Sequence, residues 1–257
     1  MLRGTPAGRR LLWLMTGLVA VAGFTDAAVY TLVADTFVAN QAGNLILLGV
    51  DFGRWDVVRL WITLTSALSF TLGATAGVLV NRFRPPTPAP PGAAAALLPG
   101  RHLLGFAAVA FSAVAVLAVI LLGERPPVPT GVRFTVVSIA AFAMGVQSLL
   151  LREVWGVQVT TTAAGSAITG LVESVVSPGD GAARQRRKER AVVFGAEIAS
   201  YLGAASLATA LGEVVGLGRW IMVLPVLGFA GCAVGLLRVR ADAVSLARQD
   251  PRPGGET

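Results

Sequence analysis

Three residue types are almost missing from the 257-residue chain, which has one cysteine (Cys232), one histidine (His102) and one lysine (Lys188). A single cysteine excludes an internal disulfide and fits the role of a small buried apolar residue. With one histidine at the start of an apolar run, no His/Cys metal site and no Ser-His-Asp arrangement can be assembled. The lone lysine lies in no GxxxxGK[ST] sequence, so a phosphate-cradling loop is excluded. Charge is scarce as well: 14% of residues are charged, against about 25% in soluble domains. These shortages exclude an ordinary soluble domain and leave no basis for an enzyme or a cofactor.

Apolar residues and glycine take the vacated share. Hydrophobic residues make up 54% of the chain, glycine occurs 30 times, and the mean hydropathy is +0.71. Such a chain belongs in a lipid bilayer, with small residues allowing close helix packing. About 20 apolar residues cross roughly 30 Å of hydrocarbon. Six stretches qualify: 11–34, 58–80, 103–122, 132–151, 191–212 and 219–237. The start RRLLWLMTGLVAVAG looks like a signal peptide, but no large polar domain follows it, so a retained first span is expected. Two shorter apolar stretches, about 40–52 and 161–176, begin with polar residues.

If the short stretches do not cross, both termini lie on one face with sixteen basic residues, against five on the other. The positive-inside rule makes the first face cytoplasmic. Eight crossings give the same ratio, so charge does not choose. Length favours six, because only 23 residues separate Ala34 from Val58. The expected layout is a cytoplasmic N-terminus (1–10), a first three-span repeat (11–122) with a proline-rich cytoplasmic linker (81–101), and an outer loop (123–131). A second three-span repeat (132–238) follows, with a basic cytoplasmic loop (177–190), then a disordered cytoplasmic tail (239–257). RQRRKER (184–190) reads as the signature of that loop, with lipid headgroups or nucleic acid as the minor readings; no nucleic-acid partner is expected.

A repeat links the two halves. At a shift of 122 residues, Gly23 falls on Gly145, Ala42-Gly43 on Ala164-Gly165, and Asn44 on Ser166. At a shift of 130, FTLGA (70–74) falls on SYLGA (200–204). Each half reads as long helix, polar turn, short helix, then two long helices. Three crossings per half is odd, so the second copy is expected upside down. The fold class is thus an all-α polytopic membrane protein: about six transmembrane helices plus two short broken or re-entrant helices, in two inverted three-helix repeats. In inverted repeats, interrupted helices meet near the midplane and build a solute site. Asn40, Gln41 and Asn44 are the candidates in the first turn, and Thr160, Thr161, Thr162 and Ser166 in the second. Simple helix capping is the competing role.

AGFTDA followed by FVANQAGNLILLG, then MGVQSLLLR and VTTTAAGSAITGL, resembles the YoaK family of bacterial membrane proteins, a domain of unknown function. The resemblance runs over about residues 11–238. It implies that Asp26, Asn40, Gly43, Asn44, Gln147, Thr161 and Gly165 occupy motif positions, which adds Gln147 to the candidate solute-binding set. Ala42 and Ala164 stand where the family has threonine, and Ser148 where it has asparagine.

Two carboxylates fall inside spans, Asp26 and Glu197. A central carboxylate costs about 2.5–3.5 kcal/mol on insertion scales, so each needs a cavity or a partner. Either is a candidate proton-coupling group; the structural alternative is a hydrogen bond through Thr25, Ser200 or Tyr201. Asp35, Asp51 and Asp56 are expected at the outer surface. The function these features point to is a small-solute permease acting on a polar solute, in a multi-pass cell membrane protein that pairs as a homodimer. The alternative is a non-transporting scaffold or accessory subunit.

Overall fold

The computed structural model describes residues 6–83, 99–122, 128–155, 157–160, 162, 165–176 and 181–249. The helices are α1 (Pro6–Val29), α2 (Gln41–Gly53), α3 (Val57–Arg82), α4 (Arg101–Leu121), α5 (Thr130–Gln147), α6 (Gly165–Val176), α7 (Gly181–Glu213) and α8 (Val223–Gln249). A π-helical turn, Tyr30–Ala34, extends α1, and a 3-10 turn, Gly218–Met222, leads into α8. A two-residue-per-strand hairpin, β1 (Glu153–Val154) and β2 (Val157–Gln158), sits between α5 and α6.

Six of these helices are long and apolar enough to cross a membrane, in the six places expected. The protein is a multi-pass helical membrane protein. α2 and α6 have 13 and 12 residues, hence about 20 Å of length, short of a bilayer. Large apolar side chains face outward along the bundle: Leu68 and Leu72 on α3, Val109 and Ile120 on α4, Leu202 and Leu207 on α7. In lipid this outward apolar surface carries no hydrophobic penalty.

α1 is the hub. It packs on α7 and α8, while α5 packs on α3 and α4; α4 meets α8, α2 lies on α3, and α6 lies on α7. Glycines set the closest approaches. A Cβ at Gly23 would run into the Tyr201 carbonyl of α7, and one at Gly145 into the Phe70 carbonyl of α3. The glycine pair aligned in the sequence thus seats two different helix pairs in the same way. Gly23 on Tyr201 and Gly212 near Leu32 make α1 and α7 parallel. Gly17 against Cys232, with Gly235 against Leu14, makes α1 and α8 antiparallel. Gly73 on Phe142 and Gly77 on Leu149 make α3 and α5 parallel.

Several boundaries differ from expectation. The run 184–190 is not a loop: it forms early turns of α7, because arginine, glutamine, lysine and glutamate are all good helix formers. Residues 6–10 and 239–249 are helical too, continuing α1 and α8. α5 stops at Gln147, four residues early, and Ser148–Leu150 form a turn. Residues 1–5, 84–98, 123–127, 177–180 and 250–257, which hold most of the expected linker, outer loop and end of the tail, lie outside the described residues.

Candidate functional site

The first polar turn is organised by Asp26. Beyond the π-helical turn, Asp35 takes a left-handed conformation (φ 45°) and its N–H donates to the Tyr30 carbonyl at 3.2 Å. This reversal sends residues 36–40 back along α1. Val38 and Ala39 donate their N–H groups to Asp26 Oδ1 at 2.6 and 2.7 Å, and Asn40 donates its own to Oδ2 at 2.9 Å. The Tyr201 hydroxyl, from α7, donates to Oδ2 at 2.6 Å. A carboxylate offers about four acceptor positions, so all are taken. Backbone N–H groups freed at a helix break need partners at membrane depth, and Asp26 supplies them. Of the two roles open to Asp26, this geometry favours the structural one, with Tyr201 as its partner. Thr25 and Ser200 instead bond to carbonyls of their own helices.

Asn44 closes the same turn. Its Nδ2 donates to the Phe37 carbonyl at 2.7 Å, and its Oδ1 accepts from the Phe37 N–H at 3.0 Å. Further bonds reach Gln41, Thr36 and Ser66 on α3. Asn40 caps α2 by accepting from the Gly43 N–H at 3.2 Å, and Gln41 Nε2 donates to the Val38 carbonyl. These three side chains are brought together, but they hold one another and the backbone.

The buried face of α2 is polar, consisting of Asn44 and Asp51, while Leu45 and Ile46 are 67% and 70% exposed. Asp51 is therefore not a surface residue, contrary to expectation. Its Oδ2 accepts from Thr63, and its Oδ1 lies 3.4 Å from the Arg59 guanidinium. Thr36, Thr63, Ser66 and Asp51 form a buried polar ladder that was not anticipated. The seven-residue spacing of Asn44 and Asp51, which puts both on one helix face, is the signal that could have revealed it. Asp35 is exposed, as expected. Asp56 caps α3, accepting from the Arg59 N–H at 3.1 Å.

The second turn is looser. Trp155 (φ 56°), in the hairpin, donates its indole N–H to the Gly8 carbonyl on α1 at 3.1 Å. Beyond it Thr160 is exposed, Thr162 is buried, and Ser166 is exposed in the first turn of α6. Thr161 lies outside the described residues. Glu197 is 1% exposed, and neither of its oxygens has a hydrogen-bond partner. The Thr160 backbone lies near this carboxylate, outside hydrogen-bond geometry. Gln147, also buried, donates Nε2 to the Leu18 carbonyl at 2.9 Å and leaves Oε1 without a partner.

Glu197 and Tyr201 are four residues apart, one turn and about 6 Å along a single face of α7. The first turn reaches that face through Asp26, and the second faces it at Thr160. Because α1 and α7 are parallel with Gly23 on Tyr201, Glu197 comes within about one turn of the Leu18 level that Gln147 contacts. Both polar turns thus reach the α1–α7 seam, where Glu197 leaves two acceptors unsatisfied, and Gln147 approaches α1 from α5 at a neighbouring level.

A family model described as a protein of unknown function (DUF1275) matches residues 14–242. The chain belongs to this family. Comparison with curated proteins and with solved structures returns no match for it. Family membership covers all six spans and both polar turns, and assigns no activity to any of them.

Proposed function

We propose that this DUF1275 protein is a small-solute permease of the YoaK type in the bacterial cell membrane, with its solute site on the α1–α7 seam. The observation that carries this reading is Glu197: a carboxylate buried in the middle of a span, beside a broken segment, with no partner on either oxygen. Intramembrane ionisable groups are expensive, and one left without a partner is by default a candidate functional group. Solute binding is assigned to Glu197, Gln147, Thr160 and Thr162, and proton coupling to Glu197 alone. Asp26, Asn40, Gln41 and Asn44 build the wall behind them.

Two inverted repeats underlie this reading. Exchanging α1 with α5, α2 with α6, α3 with α7 and α4 with α8 maps the principal helix contacts onto one another. α5 also lies against the π-helical turn, while its C-terminal Gln147 contacts Leu18, which supports α1 and α5 running in opposite directions. With α3 parallel to α5, α1 and α3 are then antiparallel, and α2 does not cross. Cytoplasmic termini follow from the sixteen-to-five distribution of basic residues. Alternating access would rock one repeat against the other, in a homodimer that binds no nucleic acid and performs no enzymatic chemistry.

The test is proteoliposome uptake of a broad panel of polar solutes under an imposed proton gradient. Gradient-dependent uptake abolished by Glu197→Gln is expected; no uptake of any solute by folded protein sinks the permease reading. The saturated bonding of the first turn favours the second reading, a scaffold in which polar turns serve only to close the fold.

A further inference from the structure

We infer that the ligand of the α1–α7 seam is a small cation bearing N–H donors, of the primary ammonium class. The inference rests on the permease reading for the site's location, and on a separate observation for its chemistry. The side-chain atoms that Glu197 and Gln147 leave unpartnered are all acceptors: Oε1 and Oε2 of Glu197, and Oε1 of Gln147. Both residues are at most 1% exposed. Leaving such acceptors unmatched costs about 1–3 kcal/mol each, more for a charged one, so a ligand is selected by what it donates. An anion is rejected by the Glu197 charge. A neutral polyol brings donors but no charge to match the carboxylate.

Among the described residues, no arginine or lysine pairs with Glu197. Arg10 pairs with Asp242 near the start of α1, and Arg59 of α3 pairs with Asp51 of α2. Tyr201, one turn along α7, has already committed its proton to Asp26. A compact –NH3+ group brings one charge to match the carboxylate and three donors to match the unpartnered acceptors.

The experiment uses the full-length protein in detergent. Its thermal unfolding is followed while methylammonium chloride is titrated, with tetramethylammonium chloride as a cation lacking N–H donors and glycerol as a neutral polyol. A saturable rise in Tm is expected with methylammonium only. Glu197→Gln, checked for a wild-type elution profile and unliganded Tm, should raise the half-saturating concentration at least tenfold. If Glu197→Gln fails to fold, Gln147→Met replaces it, with at least a threefold rise expected. Equal shifts with tetramethylammonium, or a methylammonium shift that survives in the variant, overturn the inference. So does the absence of any shift. If the uptake panel yields a neutral or anionic solute whose transport needs Glu197, the ammonium assignment falls while the permease reading stands.

Discussion

Replacing Asp26 tests the first polar turn most severely. Its carboxylate accepts four hydrogen bonds, three from consecutive backbone N–H groups and one from Tyr201. Asp26→Ala leaves those donors buried and unmatched. At about 1–3 kcal/mol for each stranded donor, with some relief from local rearrangement, the loss is roughly 4–8 kcal/mol. That rivals the whole stability of a typical domain, so little folded Asp26→Ala protein is expected. Asp26→Asn is the graded version. Its single oxygen still accepts from Val38 and Ala39, and its amide can donate to a rotated Tyr201 hydroxyl, but it turns a donor toward the Asn40 N–H. One stranded donor and a charge-assisted bond made neutral give a cost of about 1–4 kcal/mol. Tyr201→Phe removes only the cross-helix bond and should cost about 1.5–3 kcal/mol. The assay is thermal unfolding in detergent, with size-exclusion profiles as the folding check. An Asp26→Asn protein as stable as wild type would refute the idea that this carboxylate pins the turn.

Four further outcomes follow from other parts of the bundle. Gly23→Ala and Gly145→Ala each drive a methyl into a backbone carbonyl of the facing helix and should cost about 1–3 kcal/mol, read as lowered Tm. Gly105→Ala and Gly203→Ala, where nothing lies within 4 Å, should be neutral or slightly stabilising in the same scan. Asn44→Leu strips partners from Phe37 and Ser66 and should destabilise by about 2–4 kcal/mol, with α2 gaining protease sensitivity. Arg59→Ala should lower Tm more than Asp51→Asn does, because only the first leaves a buried carboxylate without its counter-charge.

Much of this fold is written in the apolar runs. Spans of the right length and two shorter, polar-headed segments could be read directly, because lipid demands continuous apolar helices. The glycine match of residues 23 and 145 also carried physical meaning, since both residues permit a backbone crossing. Side-chain partnerships were less legible. Asp26 and Glu197 look alike in sequence, each a lone carboxylate in a span. Only the reversal at Asp35 brings three N–H groups to the first and none to the second. Asp51 is buried because a helix in lipid turns its apolar face outward, which inverts the usual amphipathic pattern. The charge of RQRRKER suggests a loop, whereas its residues favour helix and extend α7 past the apolar stretch.

The central claim is that two polar turns enter from opposite faces of the membrane and meet along α7. Four single cysteines in a Cys232→Ala background test it most directly: Asp35→Cys, Trp55→Cys, Gln158→Cys and Gln185→Cys, each at an exposed position. A membrane-impermeant maleimide is applied to right-side-out and to inverted vesicles. Residues 35 and 55 should label together from the outer face, and residues 158 and 185 together from the cytoplasmic face. Labelling of 35 and 55 from opposite faces would mean that α2 crosses the membrane, that the halves are not inverted, and that the turns do not meet as claimed.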